Sequence, residues 1–179
     1  MSNVIEEVQL DFNDVLLRPK RSTIESRSQA DVIREYKINT HSLSGTGIFN
    51  ANMATVGNFA TAKKLLACGM FATLHKHYSI EEIGEFFELC RRENIALDNL
   101  FITIGLKNAD EQFDKLKQLE TKYGWKSPRN ICIDAPNFYI PKALDILKRA
   151  RQEFNDAVIM VGNIASGDMC LKLLDDADI

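Results

Sequence analysis

Five short apolar runs recur along the chain at nearly even intervals: GIFNANM (47–53), MFATLHK (70–76), LFITIGL (100–106), ICIDAP (131–136) and AVIMVGNI (157–164). None alternates cleanly between apolar and polar residues, as a strand with one wet face would, so both faces of each predicted strand should be covered, as in a parallel sheet. Segments of helical period fill the gaps: NFATAKKLLACG, SIEEIGEFFELCRREN, ADEQFDKLKQLETKYG, YIPKALDILKRARQEF and SGDMCLKLLDDA. The first and third close on glycine, the second opens on a capping-box-like S-x-x-E step, and Pro141 falls where a first helical turn tolerates it. The pattern is strand then helix, five times over.

Such a repeat fits an open doubly wound sheet or a (β/α)₈ barrel. No G-x-G-x-x-G follows the first run, so the dinucleotide fingerprint of the open sheet is missing. Polar residues instead gather at the C-terminal ends of the runs: Asn50 and Asn52, then His75, Lys76 and His77, then Lys107 and Asn108, then Asp134 and Asn137, then Asn163. A barrel collects its active site there. The expected fold class is α/β, of the TIM-barrel type, with about the first five βα units present and a parallel edge left unpaired. Residues 1–179 are expected to form a single domain, 1–45 as an N-terminal arm and 46–179 as the βα repeats.

Composition narrows the partners. A net charge of -3 argues against broad electrostatic binding of nucleic acid, although RPKR (18–21) is a local basic cluster. The start MSNVIEEVQLDF carries acid where a signal peptide needs a basic patch, and no apolar run reaches membrane-spanning length, so a cytoplasmic protein without a membrane partner is expected. Cys68, Cys90, Cys132 and Cys170 form no C-x-x-C pair, and each is expected to be a small buried hydrophobe.

The stretch FATLHKHYS (71–79) allows three readings: a metal pair, a lysine that binds or catalyses, or the polar end of an ordinary strand. In a strand, His75 and His77 would point to one side and Lys76 to the other. The third histidine, His41, has no ligand spacing to them, so no metal site is expected. Asp134, ending ICIDAP, reads either as a hydrogen-bond acceptor in a site or as a helix N-cap.

The motifs LDFNDVLLRPKRSTIESRS (10–28), NANMATVGNF (50–59), ATLHKHYS (72–79), ICIDAPNFY (131–139) and VIMVGNIASGDM (158–169) resemble, in order and spacing, the N-terminal half of the GMP reductase family, which is related to IMP dehydrogenase. The resemblance implies a (β/α)₈ barrel, usually tetrameric, that reduces GMP to IMP with NADPH and releases ammonia. It also implies a cysteine on a glycine-rich loop that attacks the purine, a threonine and a glutamate that assist ammonia release, and a potassium ion that orders the loop. By the same resemblance Lys76, Asp134, Ala135 and Pro136 contact the NADPH, and Ser26 and Arg27 reach NADPH bound by a neighbouring subunit. Asn52, Met53 and Asn163 lie by the GMP/IMP purine.

Three positions depart from the family pattern. Ala54 stands where a carboxylate is expected, Pro136 lacks an amide donor, and Phe138 replaces a glycine beside the cofactor, which together imply relaxed or altered cofactor binding. The family's cysteine loop is expected just past Ile179, so no catalytic residue is assigned within the chain and the potassium loop is absent. Alone the chain is expected to be inactive, and to form a homo-oligomer or join a complementing chain. The alternatives are a non-catalytic half-barrel that docks on a full-length relative and, less favoured, a βα domain with unrelated phosphate-ligand chemistry.

Overall fold

The computed structural model describes residues 8, 10–38, 41–126 and 129–177. It divides into two compact units, Met1–Asp31 and Val32–Ile179. The first contains two short 3₁₀ turns, Phe12–Asp14 and Arg27–Gln29. Ser26 caps the second: its hydroxyl accepts from the Ser28 amide at 3.3 Å, and Gln29 Oε1 accepts from the Ser26 amide at 3.3 Å.

The second unit opens with an antiparallel hairpin, β1 (Arg34–Ile38) and β2 (His41–Gly45). Four parallel strands follow, β3 (Ala72–Leu74), β4 (Leu100–Gly105), β5 (Asn130–Asp134) and β6 (Val158–Gly162), in the spatial order β3-β4-β5-β6. Five helices alternate with them: α1 (Phe59–Ala67), α2 (Ile80–Arg92), α3 (Ala109–Tyr123), α4 (Pro141–Glu153) and α5 (Gly167–Ala177). The chain is an α/β fold whose parallel sheet is part of a barrel.

Helix boundaries follow local chemistry. Asn58 caps α1 through the Thr61 amide at 3.0 Å. Ser79 and Glu82 form both halves of a capping box on α2, at 3.2 and 2.7 Å, and Pro141 opens α4. Gly124 closes α3 in the left-handed conformation, at φ 64°.

The strands bury both faces, by different means. One row of side chains, Ala72, Leu74, Leu100, Ile102, Ile104, Ile131, Ile133 and Ile159, packs under the helices against Ile83, Phe87, Phe113, Leu116 and Leu147. Burying each large aliphatic or aromatic group contributes about 1.5–3 kcal/mol, so this layer dominates stability. The opposite face carries Phe71, Phe101, Cys132 and Val158, and at its N-terminal end these pack against Leu43, Tyr36 and Ile38 of the hairpin. The hairpin was not anticipated in an arm spanning 1–45. Its strand residues pair with each other, and Asn99 Nδ2 donates to the Ser44 carbonyl at 2.8 Å.

The first apolar run corrects the five-strand expectation. GIFNANM contributes a single parallel bridge, Phe49 to Phe71, and no strand. Gly47 sits at φ 74°, outside extended geometry, and three residues later the Asn50 side chain takes over the pairing. Its Oδ1 accepts from the Thr73 amide and its Nδ2 donates to the Thr73 carbonyl, both at 2.8 Å. Replacing Asn50 by alanine removes both bonds, each worth about 1 kcal/mol, and is expected to lower unfolding stability by about 2 kcal/mol in denaturant titration. Asn50→Asp, which keeps the acceptor but sets a carboxylate oxygen against the Thr73 and Ala51 carbonyls, should be at least as destabilising as alanine.

Candidate functional site

At the C-terminal ends of β4, β5 and β6 the register aligns Gly105, Asp134 and Gly162 in one row. Asp134 is the only side chain longer than hydrogen in that row, and it stands between two adjoining cavities. The larger, about 480 Å³, is lined by Lys76, His77, Gly105, Lys107, Gln112, Asp134 and Pro136, among others. The smaller, about 240 Å³, is lined by Asn52, Cys132, Asp134, Met160, Gly162 and Asn163, with Ile133 and Val161.

Lys76 reaches its place across β4. Its Nζ meets Asp134 Oδ2 at 2.8 Å, with the lysine side chain 36% and the aspartate 32% exposed. The stem passes over Gly105, where an added Cβ would lie 3.3 Å from Lys76 Cδ. Glycine thus makes room for the cation to cross a strand. A pair this exposed contributes at most about 1 kcal/mol to stability, so its consequence is placement of charge in the cleft.

β3 ends at Leu74, so strand alternation does not govern residues 75–77 as expected. The turn is ordered by a stack: His75 lies on Tyr78 at 3.9 Å, Tyr78 on Phe59 at 3.7 Å, and Phe59 on Phe86 at 4.7 Å. His75 Nδ1 accepts from the His77 amide at 3.2 Å. Burial, then the neighbouring His77 and Lys115 charges, holds the His75 imidazole below its ordinary pKa.

Two loops close the far side. The Ala135 amide donates to the Gly162 carbonyl at 2.7 Å, the Asn163 amide to Ala135 at 2.6 Å, and the Phe138 amide to Asn163 at 3.2 Å. Tyr139 Oη donates to Ser166 Oγ at 2.9 Å or accepts from it, and accepts from the Ala165 amide at 3.1 Å. These bonds fix Asn163 beside Asp134.

This arrangement can be compared with known proteins. Residues 9–179 match the family model described as the IMP dehydrogenase / GMP reductase domain. The chain belongs to that family. It is 38% identical over 178 residues to a GMP reductase of Vibrio campbellii, covering 97% of this chain and 49% of the relative. It is 37% identical over 187 residues to GMP reductase 2 of Bos taurus, covering 100% of this chain and 50% of that protein. The chain thus spans about half the length of these relatives. An inosine 5' monophosphate dehydrogenase structure from Legionella pneumophila superimposes with a TM-score of 0.71 at 23% identity, over 92% of this chain and 47% of the other, which supports the barrel fold.

Within this family frame, the residues singled out by sequence divide into groups. Lys76, Asp134 and Pro136 share the larger cavity, and Asn52, Asp134 and Asn163 share the smaller. Ala135 is fully buried, with its backbone committed to the loop bonds, and lines neither cavity. Met53 is 62% exposed in the turn after Asn52, where its carbonyl accepts from Gly57 at 2.6 Å. Ser26 and Arg27 lie in the separate N-terminal unit. Asp134 is no helix cap, since Ile140 occupies that position on α4.

Two expectations need correcting. Of the three departures from the family pattern, Pro136 lines the larger cavity, whereas Phe138 is wholly buried in the core beneath the helices and Ala54 is exposed in the 52–57 turn. They do not cluster, because the backbone after Pro136 turns the Phe138 ring away from the cleft. The cysteines also divide: Cys90 and Cys132 are buried, and Cys68 and Cys170 are exposed. Gly105 and Gln112 were not singled out, since a strand-end glycine and a glutamine on an amphipathic helix carry no motif.

Cys132 borders the smaller cavity, and burial pushes its thiol pKa up to about 11. Only about one thiol in a thousand is then ionised at pH 8, too few for rapid attack. Iodoacetamide at pH 8 is expected to label Cys68 and Cys170 readily and Cys132 far more slowly, as read by peptide mass spectrometry. Rapid labelling of Cys132 in folded protein would contradict this ordering.

Proposed function

We propose that these residues build the cofactor-facing part of a GMP reductase, which converts GMP to IMP with NADPH and releases ammonia. The observation that carries this reading is the Lys76–Asp134 pair, set in the wall between two adjoining cavities at the C-terminal end of a parallel sheet. The residues fit the cofactor chemically. The larger cavity offers a cation, a carboxylate acceptor and room, which suit an anionic ligand rich in hydroxyl groups.

Bound NADPH supplies the hydride. Lys76 places a compact positive charge toward phosphate or ribose oxygens, and Asp134 accepts a hydrogen bond from a ribose hydroxyl. Pro136 forms a wall without an amide donor, and Ala135 holds that wall to β6. Asn52, Met53 and Asn163 face the purine nucleotide. In a homo-oligomer, Ser26 and Arg27 extend to cofactor held by the adjacent subunit.

The chain's own chemistry is binding and orientation. Cys132, the thiol nearest the cleft, is held protonated by burial, and Cys90 is likewise raised. Neither buried thiol is therefore poised to attack, and in this reading the chain binds and orients while the nucleophile comes from a complementing segment or chain.

NADPH titration followed by cofactor fluorescence tests the reading. Wild type should bind, and Lys76→Met should weaken binding about tenfold, the loss of one charge-assisted contact. Adding the C-terminal half of a reductase should restore GMP-dependent NADPH oxidation. A folded wild-type chain with no affinity for NADPH would overturn the proposal, and its capture on an intact reductase would then favour the docking role.

A further inference from the structure

One buried cation has no part in the scheme above. Lys115, on α3, is 8% exposed, and its Nζ donates to the Tyr78 carbonyl. Around it α3 buries Phe113, Leu116 and Leu119, so an apolar side chain would fill the position without the cost of desolvating a charge. Burial lowers the Lys115 pKa, and the Glu82 carboxylate on α2 opposes that shift. What the lysine adds is a charge-assisted bond between a helix and a turn.

The two elements it joins are the two walls of the larger cavity. Tyr78 ends the 75–78 turn that carries Lys76 and His77 into the cleft. On the facing side, Lys107 and Asn108 precede α3, and Gln112, one turn before Lys115, lines the same cleft. Gln112 Oε1 is buried and meets no donor among the described residues. The stack of His75, Tyr78, Phe59 and Phe86 secures the aromatic side of the turn. Lys115 secures its carbonyl side.

We propose that Lys115 is a positioning residue that sets the spacing between the Lys76 turn and the Gln112 turn, and thereby the width of the cofactor cleft. The proposal rests on reading that cleft as the NADPH site, but its structural half stands apart from any ligand.

Hydrogen-exchange mass spectrometry and NADPH titration on the full chain test both halves. In Lys115→Met, exchange should rise locally over 75–78 and 108–112 while β4 and β5 keep wild-type protection, and NADPH affinity should fall about tenfold. Lys115→Arg, which keeps a charged donor, should recover most of both. Where the methionine variant does not fold, Lys115→Gln gives the same reading with a polar side chain too short to reach. Unchanged exchange over 75–78, or a rise spread evenly through the sheet, would overturn the proposal as would loss of protection without loss of NADPH affinity. If wild type binds no NADPH, the functional reading fails, and the exchange pattern still decides whether Lys115 fixes the two turns.

Discussion

A parallel strand offers its side chains alternately to two faces, and the register of β4, β5 and β6 keeps those faces aligned from strand to strand. Everything else in the molecule depends on that alignment. One face is aliphatic throughout and holds the helices. The other changes character along its length, from Phe71, Phe101 and Val158 under the hairpin, through Thr103 and Cys132, to Gly105, Asp134 and Gly162 at the open end. Shifting one strand by a residue would put isoleucine into the cleft and aspartate under a helix.

The open end works because two of its three central residues are glycine. Without side chains at 105 and 162, space opens on both sides of Asp134, and Lys76 can cross β4 to reach it. The pair is weak as a source of stability and strong as a source of polarity, since it leaves a partly solvated cation and a partly solvated carboxylate at the mouth of a cavity. Lys115 contrasts with it. The same charge, withdrawn from water and given one carbonyl partner, becomes a joint between elements instead of a group presented to a ligand.

Much of this was legible beforehand. The helices formed where capping residues and glycines marked them, as Ser79, Glu82 and Gly124 illustrate, because these signals act through bonds only three or four residues long. Four of five apolar runs became strands. The first run, GIFNANM, did not, because Gly47 and Asn50, both visible in the sequence, act here through conformation and through a bond to Thr73 that no local rule anticipates. The hairpin was missed for a related reason: its apolar residues, Tyr36, Ile38 and Leu43, gain meaning from Phe71 and Phe101, far along the chain.

The sequence by itself determined the repeating strand and helix units, the family, and the polar residues that crowd the strand ends, because periodicity, capping and motif spacing are properties of neighbouring residues. Only the tertiary structure decided which of those residues meet. Lys76 and Asp134 are 58 residues apart and share a cavity wall, while Phe138, four residues from Asp134, points into the core. Register and burial are set when distant strands pair and helices cover them, so they assign each side chain a face that its own segment does not specify.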